Sequence, residues 1–172
     1  MTIERVVESN FDDFIGLVEA LAQYERLDPP DDVAKQRLMR DGLSSTPLFE
    51  AYLGRMNGKA VSYCVYFTTY SSFLAMPTLY LEDLFVLETH RRGGIGLEMF
   101  EFCMKKAVEK GCGRMEWCVL DWNEPAIRFY EKNGARRLGW VFYRLTREEM
   151  KRRVPRWVHS TRFPNSLTDT ET

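Results

Sequence analysis

The sequence predicts an α/β domain in which a mixed sheet is covered by helices. The first observation behind this is the stretch from Leu79 to Gly96, a long apolar run that breaks into a basic, glycine-rich turn. The second is an Asn57-Gly58 pair between two β-type runs, which marks a hairpin. The third is the order strand, helix, strand from Leu79 onward, which makes those two strands parallel through a right-handed crossover. With 172 residues the chain needs one sizeable core and no second one. The expected layout is one domain over 1–153 with a C-terminal extension over 154–172, whose Ser-, Thr- and Asn-containing end is loosely held.

The elements follow from pattern and punctuation. Ile3 to Val7 suits a short first strand, and Asn10 is placed to cap a helix with Asp12 and Asp13 in its first turn and Phe14, Leu17, Val18, Leu21 and Tyr24 as its core stripe. A second helix is expected from Asp31 to Asp41, between Pro29-Pro30 and Gly42. Strands are expected over Leu48 to Gly54 and Ala60 to Thr69, antiparallel across the hairpin. The organising strand then feeds a helix from Ile95 to Lys110, whose apolar face is read as Leu97, Phe100, Met104 and Ala107. Arg114 to Leu120 is the next strand, parallel to the organising one, and a short helix capped by Asn123 runs through Tyr130 to Gly134. Ala135-Arg136 and Trp140 to Leu145 are expected to supply the last strand, followed by a basic helix over Arg147 to Arg153.

Composition excludes several classes. A net charge of −1 and a pI near 6.2 lack the basic excess that nucleic acid requires, so none is expected as a partner. Cys64, Cys103, Cys112 and Cys118 contain no C-x-x-C pair, and only two histidines, His90 and His159, are present, so buried thiols are expected and a metal site is not. With no apolar run of ~18 residues and no leader-like start, the expected location is the cytoplasm, with no membrane partner.

The chemistry centres on the strand and its turn. Glu82 and Asp83 sit in a run suited to a strand covered on both faces, where a carboxylate is costly without a task or a partner. After it, Arg91 and Arg92 bring charge, and Gly93, Gly94 and Gly96 remove the side chains that would hold a diphosphate away from the N–H groups opening the helix at Ile95. The dinucleotide fingerprint fails because its third glycine would fall on Met99, and the P-loop fails for want of a lysine.

What does match is R-x-x-G-x-G, as Arg91 to Gly96, and in this the chain resembles the GNAT N-acetyltransferases, whose loop of this form holds the pyrophosphate of acetyl-CoA. The run from Val119 to Ala135, with Asp121-Trp122-Asn123-Glu124-Pro125-Ala126 and Phe129-Tyr130, is similar to the segment after the fifth strand in that family. With Tyr80-Leu81-Glu82-Asp83 and Tyr24-Glu25, the chain looks like the branch of spermidine/spermine and thialysine acetyltransferases. It departs from the polyamine enzymes in the loop before the organising strand, where Ser71-Ser72-Phe73 stands in place of an acidic residue and a tryptophan. The resemblance implies a mostly antiparallel sheet splayed between its two central parallel strands. It also implies cofactor contacts from Leu84, Phe85, Val86, Arg91, Arg92, Gly93, Gly94, Ile95, Gly96, Asn123, Ala126 and Tyr130, with no metal.

The residues suit that chemistry independently. An amine of pKa near ~10 must lose a proton before it can attack a thioester, which makes Glu82 the expected base, directly or through water. A departing thiolate of pKa near ~8.5 can take a proton from a phenol, the expected part of Tyr130. Main-chain N–H groups near Leu84 and Phe85 can serve an oxyanion if a bulge splays the strand there. Strand alternation otherwise sends Glu82 and Asp83 to opposite faces. Tyr24, Glu25, Glu82, Asp83 and Trp140 are candidates to hold a cationic amine, against ordinary roles as ion pairs or core aromatics. The expected activity is acetyl transfer to the primary amine of a small molecule, by a homodimer held partly by material after Leu145, with Trp157 and Phe163 in it. The competing readings are a protein or peptide lysine or N-terminal acetyltransferase, and a CoA-binding regulatory module without turnover.

Overall fold

A computed structural model describes residues 1–154. The chain divides into two compact units, Met1–Asn123 and a second that begins at Glu124. The first holds a five-stranded sheet in the order of the chain: β1 (Thr2–Arg5), β2 (Glu50–Met56), β3 (Lys59–Ser71), β4 (Met76–Val86) and β5 (Arg114–Trp117). The first four are antiparallel neighbours, and β5 lies parallel to β4. Asn57 and Gly58 turn the β2–β3 hairpin with φ of 51° and 78°, the positive pair that a tight hairpin needs.

Two helices precede the hairpin. In α1 (Phe11–Glu25), Phe11, Phe14, Ile15 and Leu17 are buried, and Phe14 meets the ring of Tyr63 edge-on at 5.5 Å. Sinking a ring of that size contributes about 2–3 kcal/mol, which is what holds the helix to the sheet. The helix ends at Arg26, whose φ is 59°. The expected cap at Asn10 does not form. A single tight turn over Glu8–Asn10 comes first, and the Asn10 side chain bonds back to Val7 N–H, Glu4 and the Arg5 carbonyl. Asp31 does cap α2 (Asp32–Leu43), accepting from the Ala34 N–H at 2.7 Å.

The crossover helix α3 (Ile95–Glu109) starts and stops where the pattern places it, but its buried face is Ile95, Met99, Phe100, Cys103 and Ala107. Leu97 and Met104, expected on that face, lie outside it because the sulfur-bearing Met99 and Cys103 are the ones in line with Ala107 at the four-residue step. Of the four thiols, Cys64 and Cys103 are buried, Cys112 is half-buried and Cys118 is exposed, so the expectation of burial holds for two, and all four are free.

In the second unit, α4 (Glu124–Lys132) is closed by Gly134 at φ 88°, and α5 (Arg147–Arg153) opens with a capping box between Thr146 and Glu149. The strand expected at 135–136 and 140–145 is absent, and that stretch carries no regular structure. Trp140, Val141, Phe142 and Tyr143 are all exposed, so neither face is covered and no ladder satisfies the backbone. Strand preference reflects pairing and burial more than the residues alone, and here the residues have no pairing. Trp157 and Phe163, named for a dimer contact, lie outside the described residues.

Candidate functional site

The strand β4 departs from regularity where its acids are. Val65 of β3 pairs with Asp83, and the next residue, Tyr66, pairs with Leu81, so Glu82 is the extra residue of a bulge. A bulge, the condition for an oxyanion site at Leu84 and Phe85, thus does occur in β4, just before those two residues. It cancels the alternation that would have parted the acids, and Glu82 and Asp83 both line one cavity of about 330 Å³. The remaining walls are Phe14 and Val18 of α1, Leu38 of α2, Phe49 just before β2, and Val65 and Phe67 of β3.

The same place is where the parallel pair opens. Pairing between β4 and β5 runs from Thr78 with Arg114 to Leu81 with Trp117 and ends there, while β4 continues to Val86. The strand expected to reach Leu120 therefore stops at Trp117, and Cys118, Val119 and Leu120 are exposed. Beyond Leu81, the edge of β4 that faces β5 pairs with no strand among the described residues, and Leu84, Phe85 and Val86 all lie in this stretch.

Burial sets the electrostatics. Desolvation comes first, then the charge of Glu82, and together they push the Asp83 carboxyl up to about 7 from an ordinary 3.8. The Tyr63 phenol works against that rise, although its buried hydroxyl makes no hydrogen bond of ordinary geometry. Glu25, half-buried at the end of α1, is also raised by desolvation.

A second set gathers on Tyr24. Its hydroxyl donates to Asn123 Oδ1 at 3.2 Å, and its ring lies 5.9 Å from Trp122 and 6.4 Å from Phe85. The Arg91 guanidinium sits 4.4 Å over the same ring while its Nε donates to the Val86 carbonyl at 2.9 Å. Arg91 is thus turned back onto the strand, and Arg92, with φ 66°, stays exposed. Gly94 precedes α3 at φ 87°, a conformation that a side chain resists, and the N–H groups of the first helical turn open beyond it, with Ile95 buried and Gly96 already helical. An exposed, glycine-bent loop of this kind suits a diphosphate, so the chain's own geometry fits the pyrophosphate of a CoA thioester.

The family model of the acetyltransferase (GNAT) family matches residues 7–135. The chain belongs to that family. GNAT enzymes take acetyl-CoA as donor, and the chain is an N-acetyltransferase. It is 30% identical over 161 residues to thialysine N-epsilon-acetyltransferase of Mus musculus, covering 87% of this chain and 94% of that one. It is 32% identical over 149 residues to spermidine/spermine N(1)-acetyltransferase-like protein 1 of Homo sapiens, across 80% of this chain and 21% of that longer protein. Among solved structures it shares its fold with the Vibrio cholerae integron cassette protein VCH_CASS6, at a TM-score of 0.75 and 21% identity over 88% of this chain and 95% of the other.

The sequence-chosen residues of this acetyltransferase thus fall into separate groups. Glu82 and Asp83 meet at the cavity; Tyr24, Phe85, Arg91 and Asn123 meet at the mouth of the opened strand pair. Tyr130 and Ala126 belong to the second unit, where the Tyr130 ring packs 5.2 Å from Phe129 and its carbonyl accepts from the Asn133 and Ala135 N–H groups. Trp140, in the same unit, is 82% exposed. What the residue pattern missed are the cavity walls Leu38, Phe49, Val65 and Phe67. Their spacing marks them as apolar, and no spacing rule tells a wall from a filled core. Among the described residues no group of His, Cys, Asp and Glu could hold a metal ion, and no helix is long and apolar enough to cross a membrane.

Proposed function

We propose that this enzyme transfers the acetyl group of acetyl-CoA to the primary amine of a small molecule by direct attack. The observation that supports it most is the bulge at Glu82, which turns two acids onto one cavity just where β4 outruns β5. Acetyl-CoA supplies an activated thioester. The loop from Arg91 to Gly96 holds its pyrophosphate, with Ile95 seating the helix start, and Asn123 and Ala126 contact the same donor. The stretch over Leu84, Phe85 and Val86, past the end of the β5 pairing, gives N–H groups to the pantetheine arm and the acetyl oxygen.

Glu82 takes the amine proton, directly or through water, as the new N–C bond forms, and Tyr130 gives its phenolic proton to the sulfur as the C–S bond breaks. Asp83 holds the ammonium form of the acceptor beforehand, with Glu25 adding its charge from outside the cavity and Tyr24 and Trp140 offering aromatic faces on the approach to it. The thialysine activity in the name of the mouse relative, and the likeness to a spermidine/spermine acetyltransferase in the name of the human one, fit a small amine acceptor. We further propose a cytoplasmic homodimer held partly by residues after Leu145.

The test is titration calorimetry with acetyl-CoA joined to a thiol-release assay over a panel of amines. Binding with one thiol released per amine acetylated is the expected result. Tight binding with no turnover on any amine would overturn the proposal in favour of a CoA-binding module.

A further inference from the structure

The cavity beside Glu82 and Asp83 bears on which amine the enzyme takes. Building on the proposed amine acetylation, we infer from the make-up of that cavity that the preferred acceptor is a monoamine with an apolar body, aromatic or aliphatic, in preference to a polyamine or an α-amino acid. The two acids supply negative charge for a single ammonium, and every other wall is hydrocarbon: three phenylalanines, two valines and a leucine. Its volume of about 330 Å³ lies at the low end for ligand sites, which suits a compact acceptor.

Each rival lacks a partner in that lining. A diamino acid brings an α-carboxylate, and none of the described residues lining the cavity is basic, so that carboxylate would be desolvated beside two acids of its own sign. The nearby Arg91 is engaged elsewhere, by the Val86 carbonyl and the Tyr24 ring, and is not part of the wall. A polyamine brings a second ammonium that would lie along Phe14, Val18 and Leu38, where no side-chain oxygen can accept from it. Glu25 influences Asp83 electrostatically but does not line the cavity. An apolar body instead gains from every wall, and in such pockets a single methylene is worth about tenfold or more in kcat/KM.

The experiment compares kcat/KM of the full chain, at saturating acetyl-CoA, for phenethylamine and hexylamine against cadaverine, spermidine and thialysine. The monoamines should lead by about tenfold or more. The variant Leu38→Glu, checked by thermal melt and acetyl-CoA affinity, should move the ratio toward cadaverine by about tenfold, since it offers the second ammonium a carboxylate. A lead for spermidine or thialysine in the unaltered enzyme overturns this inference and leaves amine acetylation standing. No turnover of any amine overturns the acetylation reading itself. A folded Leu38→Glu enzyme with an unchanged ranking also overturns the inference, and if that variant does not fold, the ranking of the unaltered enzyme decides alone.

Discussion

The hydroxyl of Tyr24 donates a hydrogen bond to Asn123 Oδ1 at 3.2 Å, joining positions 99 apart in the chain. That bond ties the end of α1 to the loop after β5, and the Tyr24 ring meanwhile carries Arg91, Phe85 and Trp122 around it. Tyr24→Phe keeps the ring and loses only the hydroxyl. It should cost about 1 kcal/mol of stability, the net value of one neutral hydrogen bond, and raise the KM for acetyl-CoA several-fold as the loop loosens. Thermal melts beside steady-state kinetics would show both, and an unchanged KM would confine Tyr24 to packing.

Asp83 gives a pH signature of known sign. Its native carboxyl titrates near 7 against an ordinary 3.8, so between those values the folded chain keeps a proton that the unfolded chain has released. The folded state is therefore favoured by this group at low pH, and the advantage is lost as pH rises through 7. Asp83→Asn, which carries no charge to desolvate, should melt higher than the unaltered protein at pH 8 and gain less at pH 5. The kcat/KM profile should also lose an ionisation near pH 7. Equal gains at both pH values would mean that Asp83 is an ordinary solvated acid.

Tyr130→Phe tests the proton given to the sulfur. Because water can supply part of the proton that the phenol would give, kcat should fall by roughly ten- to a thousandfold, with acetyl-CoA affinity nearly intact. An unchanged kcat would return Tyr130 to packing against Phe129.

Gly94→Val tests the loop. At φ 87° a branched side chain is strained even though open space surrounds the position, so the turn must rearrange and its N–H groups with it. Loss of acetyl-CoA binding in calorimetry, with the far-ultraviolet spectrum retained, is the expected result. Normal affinity in a folded variant would show that the loop does not hold the donor.

The proposed dimer is open to light scattering on the full chain and on a chain ended after Leu145. The first should be dimeric at micromolar concentration and the second monomeric. A monomeric full chain, or a dimeric truncation, would contradict it.

Much of this architecture is legible in residue order because its signals are local. Asn57-Gly58 announces its hairpin, Asp31 its cap, and Thr146 with Glu149 the start of α5. The features that build the site are relations between segments. The bulge at Glu82 exists only as a mismatch with Val65 and Tyr66, and the opening after Leu81 only as the early end of β5. The same limit explains the missing strand at 140–145, where Trp140, Phe142 and Tyr143 have the composition of a strand but pair with no strand among the described residues. Two consecutive acids in an apolar run are the only trace of the cavity in residue order.

The extra residue in β4 also sets the phase of everything after it. Side chains alternate along a strand, so one inserted residue exchanges one face of the sheet for the other in all later positions, and this offset puts Phe85 in the cluster of Phe14, Tyr63 and Val65, which does not include the equally buried Leu79 and Leu81. Substitution can reshape or recharge the cavity without touching that parity. Removing it takes a change of chain length: deleting one residue at 82 would restore a regular ladder only by moving the buried side chains of one flank of β4 to the opposite face of the sheet, which makes the strand far less tolerant of an indel than of a point change.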